Sequence, residues 1–132
     1  MAKFKRFEDI IMWQLARELC KKIHPLTIRE PWRNDFRFKS QIESASGSVM
    51  DNIAEGFERG GNKEFANFLR IARGSCGEVK SQVIRALDKE YITREECKEL
   101  YNLAGRISMG LKSLIDSLNE SDKKGPNYPN KK

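Results

Sequence analysis

Four cations lie along one side of a predicted helix in the middle of the chain: Lys63, Arg70, Arg73 and Lys80. Their spacings of three, seven and ten positions keep them on the same side of an α-helix. Ammonium and guanidinium groups neutralise phosphate charge and release counterions, so this row predicts contact with the backbone of RNA or DNA. Arg59, at the end of the preceding helix, completes the candidate nucleic-acid-binding set.

A second interpretation of the same cations needs no ligand. Acidic residues of the same helix, Glu64, Glu78 and Asp88, would balance the charge of a solvated face. The net charge of +6 and the isoelectric point near 9.3 favour an anionic partner without identifying one. Both interpretations stay open at the level of the sequence.

Other polar residues belong to two short signatures, Asn-Ile-Ala-Glu-Gly at residues 52–56 and Gly-Ser-Cys-Gly-Glu at residues 74–78. Glu55 and Arg59 are four positions apart, in the orientation that favours an ion pair on a helix. We interpret the group as a polar network that fixes helix register or a subunit contact, because a catalytic acid or base would need a second chemical group. The predicted members of this network are Asn52, Glu55, Arg59, Ser75 and Glu78.

The remaining reactive residues indicate no enzyme. Cys20, Cys76 and Cys97 are odd in number and widely spaced, so we interpret them as reduced, buried residues rather than metal ligands or disulfides. The single histidine, His24, precedes a proline and is predicted to lie at a helix end. The sequence has no Gly-x-Ser-x-Gly elbow and no Gly-x-x-x-x-Gly-Lys phosphate loop. We therefore predict no catalytic residue, no metal and no cofactor.

Helices must position these residues, because apolar side chains recur every three or four positions along most of the chain. Pro25 predicts the end of helix 1 near His24, and Thr93 with Glu96 matches a capping box at the start of helix 4. The pattern predicts an all-α fold, an antiparallel up-down four-helix bundle in one domain over residues 1–119. Residues 120–132 are predicted to be a disordered basic tail. The predicted helices begin near residues 7–9, 35, 63 and 93 and end near residues 24, 58, 89 and 119.

Two glycines within the central hairpin predict a close contact between helices. A turn centred on Gly60 and Gly61 would set Gly47 of helix 2 beside Gly74 of helix 3. Glycine inside a helix costs roughly 1 kcal/mol relative to alanine. We therefore expect the pair to mark the point where the two backbones approach each other.

Apolar residues outside the buried faces predict contacts with further copies of the chain, namely Ile10, Trp13, Met50 and Ile71. We expect a closed homo-oligomer. No apolar run approaches the roughly 20 residues needed to cross a membrane, and the N-terminus lacks the apolar region of a signal peptide. We expect a cytoplasmic location and no membrane partner.

The two signatures, at this separation, resemble those of the 23S rRNA intervening-sequence proteins, and the resemblance covers about residues 4–118. It implies a small bacterial cytosolic four-helix bundle that assembles as a homopentamer. A divergent relative is the accessory protein of diversity-generating retroelements, which forms a basic pentameric barrel that engages RNA and a reverse transcriptase. By that distant analogy, the resemblance implies a protein partner of the same kind. The other matching positions are Phe7, Trp13, Ala16, Gln41, Ile42, Ala45, Ser48, Lys63, Glu64, Phe65, Phe68, Leu69, Ala72 and Arg73.

Two positions depart from the pattern that the resemblance implies. Members of the family usually carry two arginines after the Gln-Ile pair, where this chain has Glu43 and Ser44. The tyrosine usual near the end of helix 1 is replaced by His24, followed by Pro25. The first departure argues against a basic surface on helix 2, and the second predicts a different end to helix 1.

These observations predict a non-enzymatic oligomeric scaffold that binds nucleic acid, RNA before DNA, through basic surface residues. The alternative is a structural or interaction protein whose oligomer recruits a protein partner without touching nucleic acid. The charge of the central segment favours this alternative, since residues 41–90 carry seven basic and eight acidic side chains.

Overall fold

The computed structural model describes residues 4–123, which form four α-helices and two short 3-10 turns. The helices are α1 (Ile11–Thr27), α2 (Phe36–Glu58), α3 (Asn62–Asp88) and α4 (Arg94–Lys123), and the turns are Phe7–Asp9 and Trp32–Asn34. No strand occurs among the described residues, so the predicted all-α class is confirmed. None of the four helices is long and apolar enough to cross a membrane.

Contacts between neighbouring helices show that the bundle is antiparallel, as predicted. Between α3 and α4, Arg73 contacts Ser108 whereas Lys80, further along α3, contacts the earlier residue Tyr101. The same reversal holds between the other neighbours. Between α2 and α3 the pairs are Phe57–Phe65 and Ser48–Ser75. Between α1 and α2 they are His24–Glu43 and Cys20–Ser46. Between α1 and α4 they are Lys22–Glu99 and Met12–Gly110.

The helix ends differ from the sequence-based expectation at three places. Residues 7–9 form a 3-10 turn, and α1 begins at Ile11 and continues past Pro25 to Thr27. The helix tolerates Pro25 in its last turn, where the Thr27 hydroxyl donates to the His24 carbonyl at 2.7 Å. Helix α4 extends to Lys123, so the first residues of the predicted tail are helical. The rest of that tail, residues 124–132, lies outside the described residues.

The predicted capping box at the start of α4 is confirmed. The Glu96 backbone N–H donates to Thr93 Oγ1 at 3.1 Å, and the Thr93 N–H donates to Glu96 Oε1 at 3.0 Å. Arg29, from the loop after α1, adds two hydrogen bonds of 2.9 Å to the two carboxylate oxygens of Glu96. This two-point contact ties the first inter-helix loop to the beginning of α4.

The expected pairing of Gly47 with Gly74 is wrong. A Cβ atom on either glycine would meet nothing within 4 Å, so neither allows a close approach. The close contact between α2 and α3 lies at Gly56, where an added Cβ would come within 2.6 Å of Phe68 Cβ. The predicted register between α2 and α3 was offset by two positions. A turn centred on Gly60 and Gly61 pairs Ser46 with Ser75, whereas Ser48 faces Ser75 in the structure.

The apolar residues expected to face other copies are mostly not exposed. Ile10 is buried, and Trp13 and Met50 are half-buried against the core. The Trp13 ring meets the Phe7 ring edge-on at 5.1 Å between centroids. Of the four, Ile71 alone is exposed, over 54% of its surface.

We predict that Gly56→Ala lowers the free energy of unfolding by about 1–3 kcal/mol, because the new methyl group overlaps a Cβ that cannot move without the helix. Gly47→Ala, in the same helix with open space around it, should raise that free energy by up to about 1 kcal/mol. Urea unfolding of the two variants checks the pair. A Gly56→Ala variant as stable as the unmodified protein would contradict the contact.

We also predict that stability falls in acid partly through Glu96. Hydrogen bonds from Arg29 hold the pKa of this carboxyl group below its ordinary value in the folded protein. The unfolded chain therefore takes up a proton first, and stability present above the ordinary pKa is lost as the pH falls through the folded pKa. Because Arg29 is partly exposed, Arg29→Met should cost about 1 kcal/mol at pH 7 and less in acid.

Thermal melts at neutral and acidic pH, with Lys112→Met as the control, measure this effect. Lys112 forms an exposed pair with Asp116, so its loss should change stability little at either pH. An Arg29→Met cost that is the same at both pH values would contradict the role of Glu96.

Candidate nucleic-acid interface

Two arginines of α3 line a shallow cleft between α3 and α4. Arg73 Nε donates to Ser108 Oγ at 3.2 Å, and Arg70 Nη1 donates to Asn67 Oδ1 at 2.7 Å. With Gly74, they enclose about 260 Å³ that opens to solvent. Each guanidinium is oriented by one neutral oxygen and keeps other N–H groups for a ligand.

The next basic residue along α3 extends this groove. The Lys80 ammonium lies over the Tyr101 ring of α4, 4.7 Å from its centroid. The apolar periodicity of α4 predicts that Tyr101 faces inward, but 38% of its surface is exposed. Together, Arg70, Arg73 and Lys80 follow the α4 side of α3, and we call this surface the α3–α4 groove.

The four α3 cations that are predicted to bind phosphate have no carboxylate partner among the described residues. Lys63 is exposed, and the recorded partners of Arg70, Arg73 and Lys80 are an amide, a hydroxyl and an aromatic ring. By contrast, ten ion pairs occur elsewhere on the described surface. The positive charge of this side of α3 therefore remains available to an anion.

The acidic residues expected to balance these cations make other contacts. Glu64 lies 3.8 Å from Arg59, which follows the end of α2, and Glu78 accepts a hydrogen bond of 3.5 Å from Gln82. Asp88 forms no ion pair with any of the four cations. Helix α3 thus directs Glu64 toward Arg59, whereas Arg73 and Lys80 are directed toward α4.

Arg59 differs from the other four predicted phosphate ligands. Its guanidinium lies 2.8 Å from Glu55 and 3.8 Å from Glu64, and 5.0 Å from the Phe68 ring centroid. The hydrogen bond to Glu55 raises the pKa of Arg59. The structure therefore places Arg59 in an ion-pair cluster at the α2–α3 turn, apart from the α3–α4 groove.

The hydrogen bonds divide the predicted polar network into three groups. Asn52 donates to the Ser48 carbonyl and to Ser48 Oγ, both at 2.8 Å, and Ser75 Oγ donates to Ser48 Oγ at 2.9 Å. The other groups are Glu55 with Arg59 and Glu78 with Gln82. The sequence analysis did not identify Ser48 as the centre of the first group. Its spacing of four positions from Asn52 indicates that the two residues are neighbours on one side of a helix.

Sequence reasoning also missed Ser108 and Tyr101, the two α4 residues that contact basic side chains of α3. They are seven positions apart and so share one side of α4. An antiparallel register between α3 and α4 anchored on the capping box would have placed them beside the cations.

The thiol beneath the basic side chains is not a nucleophile. Burial raises the pKa of Cys76 to about 12, although Lys80 and Arg73 act in the opposite direction. Within residues 4–123, no group of three histidine, cysteine or acidic side chains is arranged to hold a metal ion.

A second polar pocket, between α1 and α2, contains the residues that depart from the family pattern. His24 Nδ1 lies 2.6 Å from Glu43 Oε2, which also accepts from Thr27 Oγ1 at 3.1 Å. These hydrogen bonds outweigh the effect of burial and lower the pKa of Glu43. Cys20 lines the same pocket, of about 160 Å³, but burial raises the pKa of its thiol. The pocket therefore lacks an activated nucleophile.

Comparison with known proteins finds matches to both the sequence and the fold of this chain. The model of the 23S rRNA-intervening sequence protein family matches residues 8–113. A crystal structure of a Bacteroides thetaiotaomicron VPI-5482 protein, described as of unknown function and from the S23 ribosomal protein family, shares 25% sequence identity. The match covers 82% of this chain and 97% of that one, with a TM-score of 0.74. No curated protein matches the chain.

We predict that the structural cation Arg59 and the unpaired cation Lys63 differ in their effect on stability. Arg59→Ala should lower the free energy of unfolding, because it removes an ion pair and a contact with the Phe68 ring. Lys63→Ala should stay within about 0.5 kcal/mol of the unmodified protein. Equal losses in urea unfolding would contradict the assignment of Arg59 to a separate cluster.

Proposed function

Because the chain belongs to the 23S rRNA-intervening sequence protein family, we propose that it is a non-enzymatic scaffold that binds RNA in the bacterial cytoplasm. It binds as a homo-oligomer, with the pentamer as the favoured assembly. The ligand contacts are phosphate contacts made by Lys63, Arg70, Arg73 and Lys80. Arg59 acts mainly in the packing of the α2–α3 turn.

The observation that carries this proposal is the set of unpaired cations on α3. An arginine already paired with a carboxylate must give up that partner before it binds phosphate, whereas Arg70 and Arg73 hold only neutral oxygens. Such groups neutralise phosphate without a competing charge. The separation of Glu64 from these cations also removes the main objection raised by the sequence, that the charge is balanced locally.

RNA is favoured over DNA on the family assignment, since the family takes its description from a sequence within 23S rRNA. The alternative, a scaffold that recruits a protein partner such as a reverse transcriptase, needs no phosphate contact. Under that alternative, changes in the basic residues of α3 would leave the activity of the protein intact.

Exposed apolar side chains support the homo-oligomer. Ile11, Ile71 and Met109 each have more than half of their surface exposed. Ile11 and Met109 adjoin, in sequence, the contact between Met12 and Gly110, so they lie at the same level of the bundle. Ile71 is on α3, and two separate apolar surfaces suit the heterologous contacts of a ring.

We predict that structured RNA binds with an affinity that falls steeply as the salt concentration rises. The double variant Arg70→Glu/Arg73→Glu should weaken binding and reduce the salt slope by about one for each cation removed. Filter binding over a salt series measures both quantities. Arg106→Glu is the control for a single charge reversal and is compared with Arg70→Glu alone, because Arg106 is exposed on α4 and forms none of the hydrogen bonds or ring contacts of the groove.

Binding that does not depend on salt, or that is equally sensitive to Arg106→Glu, would reject the α3 cations as the RNA site. Absence of RNA binding at low salt would favour the alternative of a protein partner.

We predict a mass of about 76 kDa in solution, five copies of the 15.3 kDa chain. Ile71→Glu or Met109→Glu should lower this mass while the helical content stays unchanged, because both residues are exposed in the single chain. Light scattering with circular dichroism checks both statements. A mass of 15 kDa for the unmodified protein would exclude the oligomer, and a dimer would exclude the pentamer.

A further inference from the structure

We propose that the α3–α4 groove is a site for single-stranded RNA, in which Arg70 and Arg73 hold a phosphate and Tyr101 stacks on a base. The inference rests on the proposed function, that the chain binds RNA. It adds the form of the RNA and assigns roles to two residues of α4, Tyr101 and Ser108.

The phosphate position is defined by the cleft at Gly74. The hydroxyl of Ser108 holds the Arg73 guanidinium by its Nε, and the amide of Asn67 holds Arg70 by one Nη. The absence of a side chain at Gly74 leaves the floor of the cleft open, since nothing lies within 4 Å of where its Cβ would be. The two guanidinium groups are therefore oriented before the ligand arrives, which reduces the entropy lost on binding.

The base position is the face of the Tyr101 ring. The Lys80 ammonium now lies 4.7 Å from the ring centroid, and 38% of the tyrosine surface is exposed. An exposed cation–π contact is weaker than the stacking of a nucleobase on an aromatic ring. A base can therefore take the place of the ammonium, which is then free to contact a phosphate of the same strand.

The geometry favours a single strand over a duplex. Tyr101 and Ser108 are seven positions apart on α4, a rise of about 10 Å, which is within reach of neighbouring nucleotides on one strand. In an A-form duplex the base faces are stacked on one another and are closed to a protein ring. Phosphate contacts alone would bind either form, so it is the tyrosine that distinguishes them.

Affinity measurements on two RNA probes test the inference. The first is a mixed-sequence single strand of about 15 nucleotides with one 2-aminopurine, and the second is the same strand annealed to its complement. Tyr101→Ala should weaken binding of the single strand by roughly 5- to 140-fold and leave duplex affinity unchanged. Tyr101→Phe should bind as the unmodified protein does, because it keeps the ring.

Phe36→Ala is the control for loss of an aromatic ring, since Phe36 lies at the start of α2 and should not affect either probe. In the unmodified protein, binding should quench the 2-aminopurine of the single strand, a readout that needs no variant. Duplex binding as tight as single-strand binding, an unaffected Tyr101→Ala, or an equal effect of Phe36→Ala would overturn the inference while the proposed function stands. If neither probe binds at low salt, the proposed function fails as well.

Discussion

Helix α3 packs against α2 on one side and against α4 on the other, and these two contacts fix the direction of each of its side chains. On the α2 side, the missing side chain of Gly56 lets the Phe68 Cβ lie against the α2 backbone, and Ser75 bonds to Ser48. The same packing turns Arg73 and Lys80 toward Ser108 and Tyr101 of α4. A rotation of α3 about its axis would move both cations away from α4, so the groove depends on this packing.

Glu43 of α2 is held by two residues of α1. His24 and Thr27 both bind its carboxylate, which offsets the cost of its partial burial. Lys39, one turn earlier on α2, adds an ion pair at 3.6 Å. The negative charge of Glu43 is thus paired with groups at the α1–α2 contact. Glu43 therefore does not oppose an anion at the α3–α4 groove.

The fold was predictable from the sequence because helix periodicity and capping depend on neighbouring residues. The capping box of Thr93 and Glu96 and the helical hairpin interrupted at Gly60 followed from local patterns. The contacts between helices did not, since the expected glycine pair is not in contact and the close approach lies nearer the turn, at Gly56 and Phe68. The direction of side chains beside a second helix depends on the register between helices, which is why Tyr101 was expected to face inward.

The grouping of the basic residues was likewise predictable from the sequence, but their ion pairs with other helices were not. Lys63, Arg70, Arg73 and Lys80 could be grouped from spacing alone, but whether a carboxylate pairs with each one is a property of the folded chain. Arg59 pairs with Glu55 as its spacing of four predicted, and that pairing is what removes it from the phosphate-binding set.

The proposed RNA affinity depends on the assembly, because each groove offers only a few phosphate contacts. An isolated groove with a few phosphate contacts binds RNA weakly at physiological salt, because each contact gains mainly from counterion release. In the proposed pentamer, five copies of a chain with a net charge of +6 would carry +30 and would present the same groove at regular intervals. One strand that engages two grooves gains from effective concentration without any new contact. A scaffold of this kind therefore obtains its affinity from repetition, and each groove can remain weak enough to exchange its RNA.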